Sequence, residues 1–196
     1  MDSIANRRLK DCLFPADALI LPPSDDRIFK ALLTHPDAKQ VLIDLISSVI
    51  ERTVVDAQVR NNELPIMDVN EKAERFDVNC TIDNGDQIDV EMHSCPQVEI
   101  RLEPVNFINK YIYYMTDLHS SQESKGKRYY KLVRTYQITF CMNTLLPART
   151  DFVSRFSLRS EGGWQLSDQI NMVIVELDKL DALMKKPINK LSALEK

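Results

Sequence analysis

The stretch that decides the fold is ERFDVNCTIDNGDQIDVEMHSC, residues 74–95. Apolar and polar side chains alternate strictly over residues 76–83, and the alternation returns over residues 87–93. A period of two is typical of a half-buried β-strand. The two runs are separated by Asp-Asn-Gly at residues 83–85, which is a strong hairpin signal. This stretch therefore predicts two antiparallel strands joined by a tight turn.

The same pattern predicts the register of the hairpin. A two-residue loop, Asn84-Gly85, would put every apolar residue opposite a polar one, which conflicts with a single buried face. A three-residue loop at 83–85, with Gly85 in the left-handed conformation, removes the conflict. On the apolar face it pairs Phe76 with Met92, Val78 with Val90, and Cys80 with Ile88. On the polar face it places Asp77 opposite Glu91.

Two opposed carboxylates call for an explanation, because like charges directly opposite each other destabilise a sheet. At about 5 Å and an effective dielectric near 20, the repulsion is roughly 3 kcal/mol. One interpretation is an ordinary solvated polar face, where such alternation is normal. The other is a site for Mg²⁺ or Mn²⁺ with Asp77 and Glu91 as catalytic metal ligands, since hard cations prefer carboxylate oxygens. His93, on the same face, would then orient or deprotonate a water.

Two further acidic residues are candidates for this site. Asp89 points to the same face of the hairpin as Glu91. Asp26 begins the first predicted helix, where it either approaches a metal or acts only as an N-cap.

The rest of the chain predicts helices around a mixed sheet. Apolar spacing indicates a helix from about 26 to 51, broken near His35-Pro36, because the residue before proline avoids the α region. After the hairpin a helix is expected from Pro104. The predicted strands outside the hairpin are 53–59, about 133–142, about 152–158 and 170–177, and a tail helix follows. This order is that of an α/β or α+β domain.

Length and composition bound the organisation of the chain. The 196 residues, 44% of them hydrophobic, suffice for one sizeable core. We expect an N-terminal arm at 1–23, one domain at 24–180 and a C-terminal tail at 181–196. No apolar run approaches the roughly 20 residues of a membrane span, and the start lacks a signal-peptide segment. A cytoplasmic protein without membrane contact is the expectation.

Charge restricts how the chain could bind nucleic acid. The formal net charge is -4 and the pI about 5.4, whereas phosphate contacts need Lys and Arg. A DNA-binding surface must therefore be a local basic patch. The candidates are Lys110 and a cluster interleaved with tyrosines, formed by Lys125, Lys127, Arg128 and Lys131. The alternative for the cluster is an ordinary solvated loop.

The order of several short motifs resembles the PD-(D/E)xK nuclease superfamily, in particular the recombination-promoting nuclease and transposase family of bacteria. The matching pieces are Asp26-x-x-Phe29-Lys30, Leu42-Ile43-Asp44-Leu45, Lys72, IDVEMH at 88–93, Tyr113-Tyr114, Leu118, Gln122, Gly126, Tyr129 and VIVELDKL at 173–180. The resemblance implies a restriction-endonuclease-like core of helix, three strands, helix and strand. It also implies a Mg²⁺-dependent DNA endonuclease linked to recombination or mobile elements, with Asp77 and Glu91 as metal ligands.

Two positions depart from the family pattern. His93 stands where this branch usually has Gln and the wider class has Lys, and Lys110 stands where the branch usually has Arg. The first departure keeps a second function open, namely a catalytically decayed module that binds DNA or protein. If the site is active, cleavage of both DNA strands by a protein with one site would suit a homodimer.

Overall fold

The computed structural model describes residues 23–60, 77–94, 104–122, 129–183 and 194. These residues form a mixed six-stranded sheet with helices on both faces, which confirms the predicted α/β class. The helices are α1 (Asp26–Thr34), α2 (Lys39–Ile50), α3 (Pro104–Ser120) and α4 (Leu180–Leu183). The strands are β1 (Ala57–Val59), β2 (Val78–Ile82), β3 (Gln87–His93), β4 (Thr135–Cys141), β5 (Val153–Arg159) and β6 (Gln165–Glu176). None of the described helices combines the length and apolarity that crossing a bilayer requires.

The strands lie in the order β1-β2-β3-β4-β6-β5. β3, β4 and β6 run parallel to one another, and β1, β2 and β5 pair antiparallel with their neighbours. Parallel neighbours need a long crossover, and α3 lies in the connection from β3 to β4. The C-terminal ends of β3, β4 and β6 consequently meet at one edge of the sheet.

The first helical region is interrupted where the sequence predicts. Asp25 caps α1 by accepting hydrogen bonds from the backbone N–H groups of Arg27 (3.1 Å) and Ile28 (3.3 Å). His35, which precedes Pro36, is extended, with φ -67° and ψ 134°. A 3-10 turn at Pro36–Ala38 then leads into α2. The predicted break is confirmed.

The hairpin has the predicted register. Val78 pairs with Val90, Asn79 with Asp89, and Cys80 with Ile88. Gly85 has φ 89°, and its N–H donates to the carbonyl of Ile82 at 2.8 Å. The three-residue loop is therefore confirmed, while the predicted Phe76–Met92 pair lies partly outside the described residues.

Hydrophobic packing covers both faces of the sheet. On one face α1 and α2 pack against the apolar side chains of the hairpin and of β4 and β6, with Phe29, Leu42, Ile46 and Val49 at the contact. On the other face α3 packs through Tyr111 and Met115 against Met172 and Ile174. Every residue of β3 is buried. The expectation of a half-buried strand is therefore wrong for β3, because a strand inside a sheet with helices on both sides loses both faces to the interior.

Two strands differ in length from their sequence pattern. β1 covers only Ala57–Val59 of the predicted 53–59. β6 begins at Gln165, five residues before the expected start, because these polar residues pair with β5 through an irregular register. Cross-strand pairing overrides the weak β-propensity of that segment.

Candidate active site

The carboxylates of Asp77 and Glu91 lie close together in the hairpin, and hydrogen bonds to the backbone hold each of them. The backbone N–H of Asp77 donates to Oε1 of Glu91 at 3.1 Å. In return the backbone N–H of Met92 donates to Oδ2 of Asp77 at 3.0 Å. Each carboxylate is thus oriented by the backbone of the opposite strand, which holds the two acidic groups together.

Glu91 is buried rather than solvated. It is only 4% exposed, because α3 covers this face of the hairpin. Burial and, after it, the Asp77 carboxylate together raise the pKa of Glu91 to about 7, against the opposing effect of Lys110. Of the two interpretations of the opposed carboxylates, the solvated polar face is therefore wrong.

Asp89 lies deeper on the same face, two residues before Glu91. It is fully buried, and burial followed by the charge of Glu91 raises its pKa well above the usual range. Gln137, its neighbour on β4, favours the charged form. Neither carboxylate oxygen of Asp89 has a well-formed hydrogen bond with the described residues. Such a buried polar group without hydrogen bonds is costly in a native protein and calls for an explanation, such as a catalytic role or a bound ion.

His93 ends β3 and is also buried, at 6% exposure. Its ring packs edge-on against Phe107, with centroids 4.4 Å apart, and against Tyr111 at 5.9 Å. Both aromatic residues come from α3, so the helix fixes the imidazole on the same face as Glu91.

Lys110 reaches the carboxylates from α3. Its Nζ lies 3.5 Å from Oε2 of Glu91. The ammonium also lies over the rings of Tyr111, at 5.4 Å from the centroid, and Tyr114, at 5.0 Å. The structure places this predicted DNA contact at the candidate catalytic centre itself.

The remaining sequence candidates are Asp26 and the basic cluster. Asp26 is the first residue of α1, and the capping role belongs to Asp25. Lys131 follows exposed Tyr129 and Tyr130 in a 3-10 turn before β4. Glu91 is in register with Thr139 near the other end of that strand. Lys125, Lys127 and Arg128 lie outside the described residues.

The donor set suits a hard divalent cation. Mg²⁺ is commonly held by one or two carboxylates and keeps several waters, and Asp77 with Glu91 supplies two oriented carboxylates. Among the residues that the structure describes, no three His, Cys, Asp or Glu side chains form a fuller set of metal ligands. A site of two carboxylates completed by water and substrate oxygens is consistent with both observations.

One contact at this edge of the sheet escapes analysis of the sequence, namely the approach of Lys110 to Glu91. The spacing of Phe107, Tyr111 and Met115 indicates the buried face of α3 but not what it covers. Glu176, at the end of β6, is predicted from its position to reach solvent, and this prediction is wrong because the side chain is fully buried. It accepts hydrogen bonds from the backbone N–H groups of Leu145 and Leu146, both at 2.8 Å, and pairs with Lys179.

A mixed sheet between helices, with an Asp before one strand of a hairpin and a Glu-x-His on the next, defines a protein of the PD-(D/E)xK nuclease type. The sequence profile of the PD-(D/E)XK nuclease family transposases matches residues 23–196. The chain belongs to this family, which points to a nuclease or transposase-related function. No curated protein and no solved structure matches the chain.

Proposed function

We propose that this protein is a divalent-metal-dependent DNA endonuclease that hydrolyses phosphodiester bonds during recombination or the movement of mobile elements. The observation that carries the proposal is the pair of cross-strand hydrogen bonds that orients the two carboxylates, from the Asp77 N–H to Glu91 and from the Met92 N–H to Asp77. Membership of the nuclease family supports the choice of DNA as substrate.

In this proposal Asp77 and Glu91 hold Mg²⁺ or Mn²⁺. A bound ion would polarise water and offset the negative charge of the phosphate. Hydrolysis forms a bond from the water oxygen to phosphorus and breaks the bond to the leaving ester oxygen. His93, on the same face, accepts a proton from the attacking water, since a neutral imidazole can act as a general base. The leaving oxygen takes a proton from solvent.

Burial of this face of the hairpin affects metal binding in two ways. Burial strengthens their interaction with a cation, because the effective dielectric is lower than in water. Burial also holds the pKa of Glu91 near neutrality. Metal binding should then displace a proton from Glu91 at pH values below about 7.

A supercoiled plasmid with Mg²⁺ or Mn²⁺ provides the test. Asp77→Asn and Glu91→Gln keep the side-chain shapes and should each abolish nicking. Asp37→Asn is the matched control, since the Asp37 side chain is 94% exposed at a distance along the chain from the site. If both site variants nick DNA at the parental rate after rigorous purification, the assignment fails.

The same assay separates a second candidate function, a decayed module that binds DNA or protein. His93 favours this candidate, because it replaces the lysine of the wider class and is packed against Phe107. A parent that binds DNA but never cleaves it, with either metal, would support this reading.

A further inference from the structure

Lys110 occupies a special place relative to the carboxylates. The side chain of Glu91 is 5% exposed, whereas that of Lys110 is 41% exposed. Lys110 is therefore the solvent-accessible partner of a buried carboxylate. A phosphate group that enters from solvent can reach this side chain.

Several contacts hold the ammonium at this position. Oε2 of Glu91 lies 3.5 Å from the Lys110 Nζ. The ring centroids of Tyr111 and Tyr114 lie 5.4 Å and 5.0 Å from the same atom. Cation–π contacts of this kind orient a flexible lysine without neutralising its charge. Tyr111 is fully buried and anchors this part of α3 to the sheet.

His93 stands at the position where the wider nuclease class has Lys. His93 packs edge-on against Phe107 and Tyr111, beneath the helix that carries Lys110. Among the described residues, Lys110 is the cation paired with Glu91.

We propose that Lys110 is a catalytic residue, whose ammonium contacts a non-bridging oxygen of the scissile phosphate and stabilises the charge that develops as water adds to phosphorus. This inference rests on the proposed nuclease function and goes beyond it by assigning two roles to two elements. His93, at the end of β3, accepts the proton of the attacking water, and Lys110, on α3, stabilises the negative charge on the phosphate.

A purely structural role for the ion pair fits the geometry less well. The contact with Glu91 is long for a charge-assisted hydrogen bond. A position half open to solvent suits a group that contacts an incoming substrate.

The test compares Lys110→Met, which keeps the length of the side chain, with Lys110→Arg, which keeps its charge. Lys39→Met removes one positive charge elsewhere, where Lys39 pairs with Asp56. Three quantities are measured for each protein: the single-turnover cleavage rate in Mg²⁺, the affinity for the same DNA in Ca²⁺, and the affinity for Mn²⁺ alone. Thermal melts verify that each variant is folded.

Loss of one preorganised charge-stabilising group should lower the cleavage rate of Lys110→Met roughly 10²- to 10³-fold. Its DNA affinity should fall no further than that of Lys39→Met, and Lys110→Arg should retain most of the rate. Mn²⁺ affinity, measured at a pH at which Glu91 is ionised in both proteins, should not weaken in Lys110→Met, because removing the ammonium then removes only a repulsion for the ion.

Three results overturn the inference. The inference fails if Lys110→Met cleaves as fast as Lys39→Met, if its loss of rate tracks a loss of DNA affinity, or if it binds Mn²⁺ more weakly at the pH stated above and so acts only through Glu91. Each of them leaves the nuclease assignment intact as long as the parent cleaves DNA. A parent that does not cleave removes both proposals together.

Discussion

Burial and the neighbouring Asp77 carboxylate raise the pKa of Glu91 from its ordinary 4.5 to about 7. Between these two values the folded protein binds a proton that the unfolded chain releases. The contribution of Glu91 to stability is therefore complete below pH 4.5 and is lost as the pH rises through 7. At about 1.4 kcal/mol per pKa unit, the loss amounts to roughly 3 kcal/mol.

Glu91→Gln should remove this dependence, because the amide keeps the shape and cannot ionise. In urea unfolding of the metal-free proteins, the variant should be more stable than the parent at pH 8 and should gain little at pH 5. Equal changes in the free energy of unfolding with pH for both proteins would show that Glu91 is not perturbed.

His93 should matter for the rate more than for DNA binding. Under the proposed function, His93→Ala should lower single-turnover cleavage by roughly 10² or more, the usual scale of general-base loss. His93→Gln, a residue type found in related proteins, should retain more activity. The Ala variant also leaves a cavity against Phe107, so rates must be compared well below both melting temperatures. A parental rate in His93→Ala would leave His93 with a packing role alone.

The hairpin depends on the backbone conformation of its turn. Gly85 has φ 89°, a region that side chains with a Cβ rarely adopt, although a Cβ there would meet only Val133 at 3.6 Å. The expected cost of Gly85→Ala is about 1–2 kcal/mol, from backbone strain rather than from a clash.

Gly162→Ala is the matched control, since Gly162 lies in an open turn without a positive φ. Asn tolerates the left-handed region better than Ala, so Gly85→Asn should cost less. Chemical denaturation measures all three variants. A Gly85→Ala protein as stable as Gly162→Ala would mean that this turn relaxes without strain.

Metal binding should stabilise the whole fold. A ligand bound only by the folded state raises the free energy of unfolding by mass action, by about 2.7 kcal/mol at 100 times its Kd. Millimolar Mg²⁺ or Mn²⁺ should therefore raise the melting temperature of the parent, and Glu91→Gln should lose most of the gain. If neither Mg²⁺ nor Mn²⁺ changes the melting temperature of the parent protein, the result would argue against a metal site between Asp77 and Glu91.

A homodimer remains a prediction for the molecule as a whole. If each chain contributes one site, cleavage of both DNA strands in one event needs two chains. Linear plasmid should then form directly at high protein concentration, whereas nicked circles should accumulate first at low concentration. Sedimentation of the protein alone tests the association independently. A monomer at the concentrations that linearise plasmid in one step would contradict the prediction.

Local pattern alone determined the hairpin, its register and the break before Pro36. Alternation, turn chemistry and the restriction before proline act within a few residues, so Val78–Val90 pairing and the extended His35 follow from neighbours in sequence. The opposition of Asp77 and Glu91 follows from the same register. These features required no knowledge of the rest of the molecule.

Tertiary structure alone decided the environment of those residues. The sequence of an alternating strand is the same whether its polar face contacts water or a helix. Only the packing of α3 shows that Asp89 and Glu91 are buried. Lys110 and Glu91 are 19 residues apart in the sequence. Their contact forms only because α3 lies across this face of the sheet. The chemistry of the site thus depends on burial and approach distances, which no local pattern encodes.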